Sequence, residues 1–182
     1  MKQAIGLIEL RSIARGMNTT DQMLKAANVE LLRAHVVCPG KYIILISGAI
    51  SAVRTAVEVG ERVAPEVVVD HFILPNVHPS IFPALTATTQ IEHVKAIGVV
   101  ETFTLAASII AADVAVKAAP VELIEVRLPF AMGGKAFAVF TGEVSAVRSG
   151  VNSAVETLKD EGVLDSWTVI PAPHKSLIDK LL

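Results

Sequence analysis

Along the chain, apolar positions alternate between a strand-like and a helix-like rhythm. Residues 5–10 form a short apolar run that reads as a strand, and Asn18, followed three residues later by Asp21, reads as the N-cap of a helix ending near Ala27. Residues 29–37 and 42–46 are β-rich runs parted by Cys38-Pro39-Gly40-Lys41, a turn signal that predicts a hairpin. Beyond it, Ile50, Val53 and Val57, with Ala49, Ala52 and Ala56 beside them, recur at helical spacing, while Arg54, Glu58 and Glu61 fall outside the stripe. Residues 67–74 read as a strand that Pro75 stops. The order is β-α-β-β-α-β, the split, ferredoxin-like arrangement of an α/β (α+β) domain.

The same pattern is then written a second time. Ala4-Ile5-Gly6-Leu7-Ile8-Glu9 returns as Ala96-Ile97-Gly98-Val99-Val100-Glu101, an offset of 92. At that offset Asp21 matches Asp113, Lys25-Ala26-Ala27 matches Lys117-Ala118-Ala119, and Val29-Glu30-Leu31 matches Val121-Glu122-Leu123. Gly40-Lys41 and Gly134-Lys135 match at 94, as do Ser51-Ala52-Val53-Arg54 and Ser145-Ala146-Val147-Arg148, and Pro75 and His78 match Pro171 and His174 at 96. Each step of two residues marks an insertion, and insertions fall in loops: one before Gly134, another around residues 160–162. A period this long is a duplicated domain rather than a solenoid repeat. The expectation is two tandem domains, residues 1–90 and 91–182, joined at the polar stretch Thr86-Ala87-Thr88-Thr89-Gln90.

Composition adds a reason to assemble. The chain is 52% hydrophobic but only 4% aromatic, the excess being small aliphatic residues, and its mean hydropathy is +0.57. Oligomerisation is one way to cover such surface. The net charge of −2 and the lack of a basic cluster argue against nucleic acid. The apolar runs, residues 42–46 and 105–112 being the longest, are too short to span a bilayer, and residues 1–12 lack a signal-peptide pattern, so a soluble cytosolic protein is expected. The single cysteine, Cys38, has no internal disulfide partner and is expected to be free or bound to something else.

Several motifs occur in order, twice: Ala-Ile-Gly-x-x-Glu at the first strand, Asp-x-x-x-Lys-Ala-Ala in the first helix, and Pro-x-x-His at the close. Together they resemble the bacterial microcompartment shell-protein family, in its non-permuted tandem-domain class, across nearly the whole chain. The resemblance implies a homotrimer that mimics a hexagon and tiles with other shell proteins around metabolic enzymes in the bacterial cytoplasm, a structural role and not an enzymatic one. The Cys38-Pro39-Gly40-Lys41 loop is similar to that of shell proteins carrying an iron–sulfur cluster at a central pore. Cys38 is thereby implied as the metal ligand of a 4Fe-4S cluster, one per trimer, moving electrons across the shell or delivering the cluster to an encapsulated redox enzyme. Threefold closure suits this role, because one thiolate per chain becomes three at an axis.

By the same resemblance Cys38, Pro39 and Gly40 line the pore, together with Met132, Gly133 and Gly134 of the second copy's loop. Lys25, Lys117, Asn76, His78, Ala172 and His174 lie at the tile edge. Neither Pro-x-x-His copy has the family's edge arginine. Simpler readings stand beside these. Cys38 is otherwise a small buried residue, Gly133-Gly134 a tight turn requiring positive φ, the lysines a solvated helix face, and the histidines helix starts. Glu9 and Glu101 end equivalent strands, which argues for a repeated structural contact rather than acid–base chemistry. Two other functions remain open: a metabolite-gating pore without a cluster, or a small trimeric ligand-binding or enzymatic module, since fold alone does not fix function. Asp70-His71, the closest acid–histidine pair, has side chains on opposite faces of a strand.

Overall fold

The computed structural model describes residues 3–129 and 133–181. The chain divides into two compact units, Met1–Val77 and His78–Leu182. In the first, β1 (Ala4–Leu10), α1 (Ile13–Ala26), β2 (Glu30–Val37), β3 (Lys41–Gly48), α2 (Ile50–Val63) and β4 (Val68–Leu74) follow in the expected order. The strands form an antiparallel sheet ordered β2-β3-β1-β4. The second unit begins with a short helix α3 (Ile81–Leu85) and repeats the series as β5 (Ala96–Thr102), α4 (Leu105–Ala118), β6 (Glu122–Arg127), β7 (Ala136–Gly142), α5 (Val144–Leu158) and β8 (Leu164–Ile170), closing on α6 (Lys175–Leu181). Its sheet order is β6-β7-β5-β8. Both units are therefore ferredoxin-like, and even the register shifts recur, between Glu9 and Leu10 and between Glu101 and Thr102.

The glycine of the repeated opening motif has a packing cause. In the first unit, Gly6 faces α2, and a Cβ there would lie 2.7 Å from Val53 Cγ1 and 2.8 Å from Val57 Cγ2. In the second, a Cβ on Gly98 would lie 2.7 Å from both Val147 Cγ1 and Val151 Cγ2 of α5. The central strand must be bare at this point for the helix to seat on it. Around Gly6, Ile8, Leu10, Ile44 and Ile46 pack against Met23, Val53, Ala56 and Val57 to form the first unit's core.

The first helix starts earlier than the Asn18 cap predicts. α1 begins at Ile13, and Ser12, with extended φ/ψ, accepts from Arg15 N through its Oγ at 3.4 Å. Asn18 lies inside the helix on its exposed side. The second unit repeats the cap with Thr104, whose Oγ1 accepts from Ala107 N at 3.1 Å. Gly16, which would weaken an isolated helix, is required because its Cα abuts the Tyr42 ring, so that a Cβ would fall 2.6 Å from Tyr42 Cγ.

Residues 78–90, placed by the sequence with the first copy, belong to the second compact unit. Three contacts hold them there. His78 N donates to Asp113 Oδ1 at 2.8 Å, Thr89 Oγ1 donates to the Ile124 carbonyl at 2.6 Å, and α3 packs on β6.

Candidate functional site: the two hairpin loops and the paired edge motifs

The β2–β3 turn is three residues long, closed by the Val37–Lys41 register pair. Cys38 is half-buried in it, and Pro39 and Gly40 are exposed. The Cys38–Pro39 peptide is cis. Gly40 has φ +68°, with nothing within 4 Å of a built Cβ, so backbone conformation rather than space selects glycine there. Directly after the turn, Lys41 Nζ lies 2.6 Å from Glu9 Oε1. The pair ties the start of β3 to the end of β1 and thus anchors the base of the cysteine loop.

The second copy uses the same anchor under a longer loop. Residues 128–135 connect β6 to β7, and Gly133 and Gly134 have φ of +63° and +92°, meeting the tight-turn reading. Met132 lies outside the described residues. Lys135 Nζ is 3.2 Å from Glu101 Oε1 and 2.7 Å from Asp165 Oδ2, while Ser166 Oγ donates to Glu101 Oε2 at 2.9 Å. The Asp165 hydrogen bond, followed by that to Glu101, raises the Lys135 pKa above the ordinary lysine value. The repeated contact expected of Glu9 and Glu101 is therefore an ion pair to the lysine that follows each loop. Matching Gly-Lys dipeptides at an offset of 94 were its sequence signal, but which carboxylate they meet depends on strand pairing.

The remaining singled-out residues also pair by copy. Lys25 bridges Asp21 at 2.6 Å on an exposed helix face, whereas Lys117 bridges Asp113, whose carboxylate is only 4% exposed. His78 Nδ1 accepts from Ser80 N at 3.3 Å and contacts Ser80 Oγ at 2.8 Å, and His174 Nδ1 accepts from Ser176 N at 3.2 Å. Both histidines thus stand at the starts of short helices and satisfy an N–H the helix leaves unpaired. Asn76 is exposed with φ +52°, a conformation asparagine tolerates, and Ala172 is exposed. The structure does not bring Asp70 and His71 together as side chains: Asp70 Oδ1 accepts from His71 N at 2.8 Å, and the His71 ring meets Glu61 at 3.1 Å.

The model of the BMC domain matches residues 4–77 and again 96–173. These are the two β-α-β-β-α-β units, each ending at its Pro-x-x-His segment. The chain belongs to the BMC-domain family, with two domains in tandem. It is 44% identical to the bacterial microcompartment shell protein PduT of Citrobacter freundii, over 97% of this chain and 96% of that one. It is 31% identical to the carboxysome assembly protein CcmO of a Synechococcus strain, over 98% of this chain and 68% of that one. A crystal structure of a microcompartment protein from Desulfitobacterium hafniense superposes with a TM-score of 0.95 at 46% identity, covering 98% and 99% of the two chains. A fused permuted shell protein superposes at 0.65 with 21% identity, which reflects the shared fold. As a tandem BMC-domain protein the chain is a structural component of a bacterial microcompartment shell. Among the described residues, no helix is long and apolar enough to cross a membrane.

Proposed function

We propose that three copies of this shell protein close into a six-lobed tile, with the β2–β3 loops at its central opening and the three Cys38 thiolates holding a 4Fe-4S cluster. The observation that carries this reading is the asymmetry of the duplication. The Glu–Lys anchor beneath the loop is kept in both copies, while the loop itself differs, and the chain's one thiol lies in the first.

A half-buried thiol at a hairpin turn fits a cluster only as a shared ligand. Among the described residues, no group of three or more His, Cys, Asp or Glu side chains is placed to hold a metal within one chain. Clusters are held by several thiolates, which symmetry supplies. A bound cluster supplies one-electron chemistry, and with three cysteines one iron is left for a non-protein ligand. The role in the shell is then electron transfer across it, or cluster delivery to an encapsulated redox enzyme, in contact with neighbouring shell tiles. Gly40 and Pro39 hold the thiol's backbone, and Lys41 fixes the loop base through Glu9.

Anaerobic purification tests this directly. The expected product is a brown trimer by light scattering, with about four irons per three chains, and Cys38→Ser should keep the trimer while losing iron and colour. A trimer that stays colourless and iron-free after anaerobic reconstitution would overturn the cluster and favour the pore that gates metabolites. A monomer would overturn the assembly itself.

A further inference from the structure

Surfaces that are buried in the second copy lie bare in the first. On α4 and β6, Leu105, Ile109 and Leu123 are 1%, 0% and 2% exposed. Their twins at the offset of 92, Ile13, Met17 and Leu31 on α1 and β2, are 37%, 57% and 38% exposed. The acidic twins follow the same rule: the Asp113 side chain is 4% exposed and that of Asp21 51%. Ile13, Met17 and Asp21 stand four residues apart, so they form one stripe along α1. A lone exposed apolar side chain needs no explanation, but a stripe whose every twin is buried marks a surface with a missing cover.

Part of the cover in the second copy is supplied by residues 78–85. There α3 packs on β6 and against α4, Ile81 is 0% exposed, and His78 N donates to Asp113 Oδ1 at 2.8 Å. The matching segment at the offset of 96 is residues 174–181, which carries α6. It rests on its own unit through Ile178 and Leu181. Leu177, the twin of Ile81, is nevertheless 40% exposed, and His174 is exposed where His78 is half-buried. The chain therefore has one bare seat, on α1 and β2, and one segment of matching sequence whose outer side is bare.

We propose that residues 174–181 of one copy lie on the α1–β2 face of the next, repeating between chains the contact that residues 78–85 make with α4 and β6. Leu177 takes the place that Ile81 holds in the second copy, and the His174 N–H donates to the Asp21 carboxylate as His78 does to Asp113. A second copy of this chain is the occupant because the duplication supplies both halves of the contact, the apolar side chain and the backbone donor. Seat and segment are different surfaces, so the contact is head-to-tail, the kind that closes a ring when the rotation permits. The interface rests on the trimer proposed above and names the surfaces that join it.

Light scattering of the full-length protein tests it. Leu177→Asp and Met17→Asp each replace a side chain that is exposed in the single chain, so the fold should be kept. The concentration at which the trimer dissociates should rise about a hundredfold, the effect of an unpaired charge in an apolar contact. A trimeric parent whose trimer withstands both substitutions would overturn this interface and leave the trimer itself standing. A monomeric parent would overturn both. Should either variant fail to fold, a cysteine pair decides: Asp21→Cys with His174→Cys, on a Cys38→Ser background, treated with a short bismaleimide. Species of two and three chains are expected on a denaturing gel, and single chains only would overturn the proposal.

Discussion

Lys41 Nζ sits 2.6 Å from Glu9 Oε1, joining residues 32 positions apart across the β1–β3 pairing at the foot of the cysteine loop. The Glu9 side chain is 10% exposed and that of Lys41 27%. Removing the cation strands a nearly buried carboxylate, a larger penalty than the net worth of the pair. Lys41→Met is expected to destabilise the protein by about 2–3 kcal/mol, less than for a wholly buried pair because Lys41 keeps some water contact. Glu9→Leu combined with Lys41→Met should be less damaging than Lys41→Met alone. A urea-denaturation double-mutant cycle measures both, and additive losses would contradict the pairing.

The two Asp–Lys helix pairs look alike in sequence but differ in weight. Asp21 lies on a solvated face, so Asp21→Ala should cost below about 0.5 kcal/mol. Asp113 is buried and accepts both from Lys117 and from His78 N. Asp113→Ala should cost about 1–3 kcal/mol, because the part-buried His78 N–H loses its acceptor. Hydrogen exchange should show the His78 amide opening first in that variant.

Core seams trade volume between the copies. A Cβ on Gly60 would press against Ile8 and come 2.8 Å from Met23 Sδ, whereas the second copy has Ala154 and Ala115 at the equivalent sequence positions. Gly60→Ala is expected to lose about 1–3 kcal/mol through overpacking. Adding Met23→Ala should recover part of that loss, so that thermal melts of the double variant fall short of the summed single effects.

Alkaline pH tests the second anchor. Asp165, then Glu101, holds the Lys135 pKa above its ordinary 10.5 in the folded state. A raised folded-state pKa contributes stability that is complete below 10.5 and is lost as pH climbs through the raised value. Lys135→Met should therefore flatten the decline of stability above pH 10.5 relative to the parent. Asp165→Asn should lower the Lys135 pKa more than Glu101→Gln does, read by side-chain NMR titration.

Much of this is legible in the sequence. Apolar period, Pro-Gly turns and the matched motifs placed the strands, the hairpin and the second helix within a residue or two. The start of α1 was not, because Gly16 reads locally as a weak helix residue and is explained only by the Tyr42 ring it packs on. The Ser12 and Thr104 caps were there to be seen as a matched Ser/Thr pair at the offset of the first strand. The Cys38-Pro39-Gly40 turn signal coincides with the β2–β3 turn, while Met132 falls outside the described residues.

What the sequence determined alone was the duplication, the order of elements and the position of the one thiol, since periodicity and turn chemistry are local properties of the chain. Tertiary structure decided which groups meet. Strand register joined Glu9 to Lys41 and buried the Ser47 hydroxyl, and helix packing buried Asp113 and left Asp21 in water. It also carried residues 78–90 into the second unit. Those outcomes depend on which distant surfaces exclude solvent, and no local pattern encodes that.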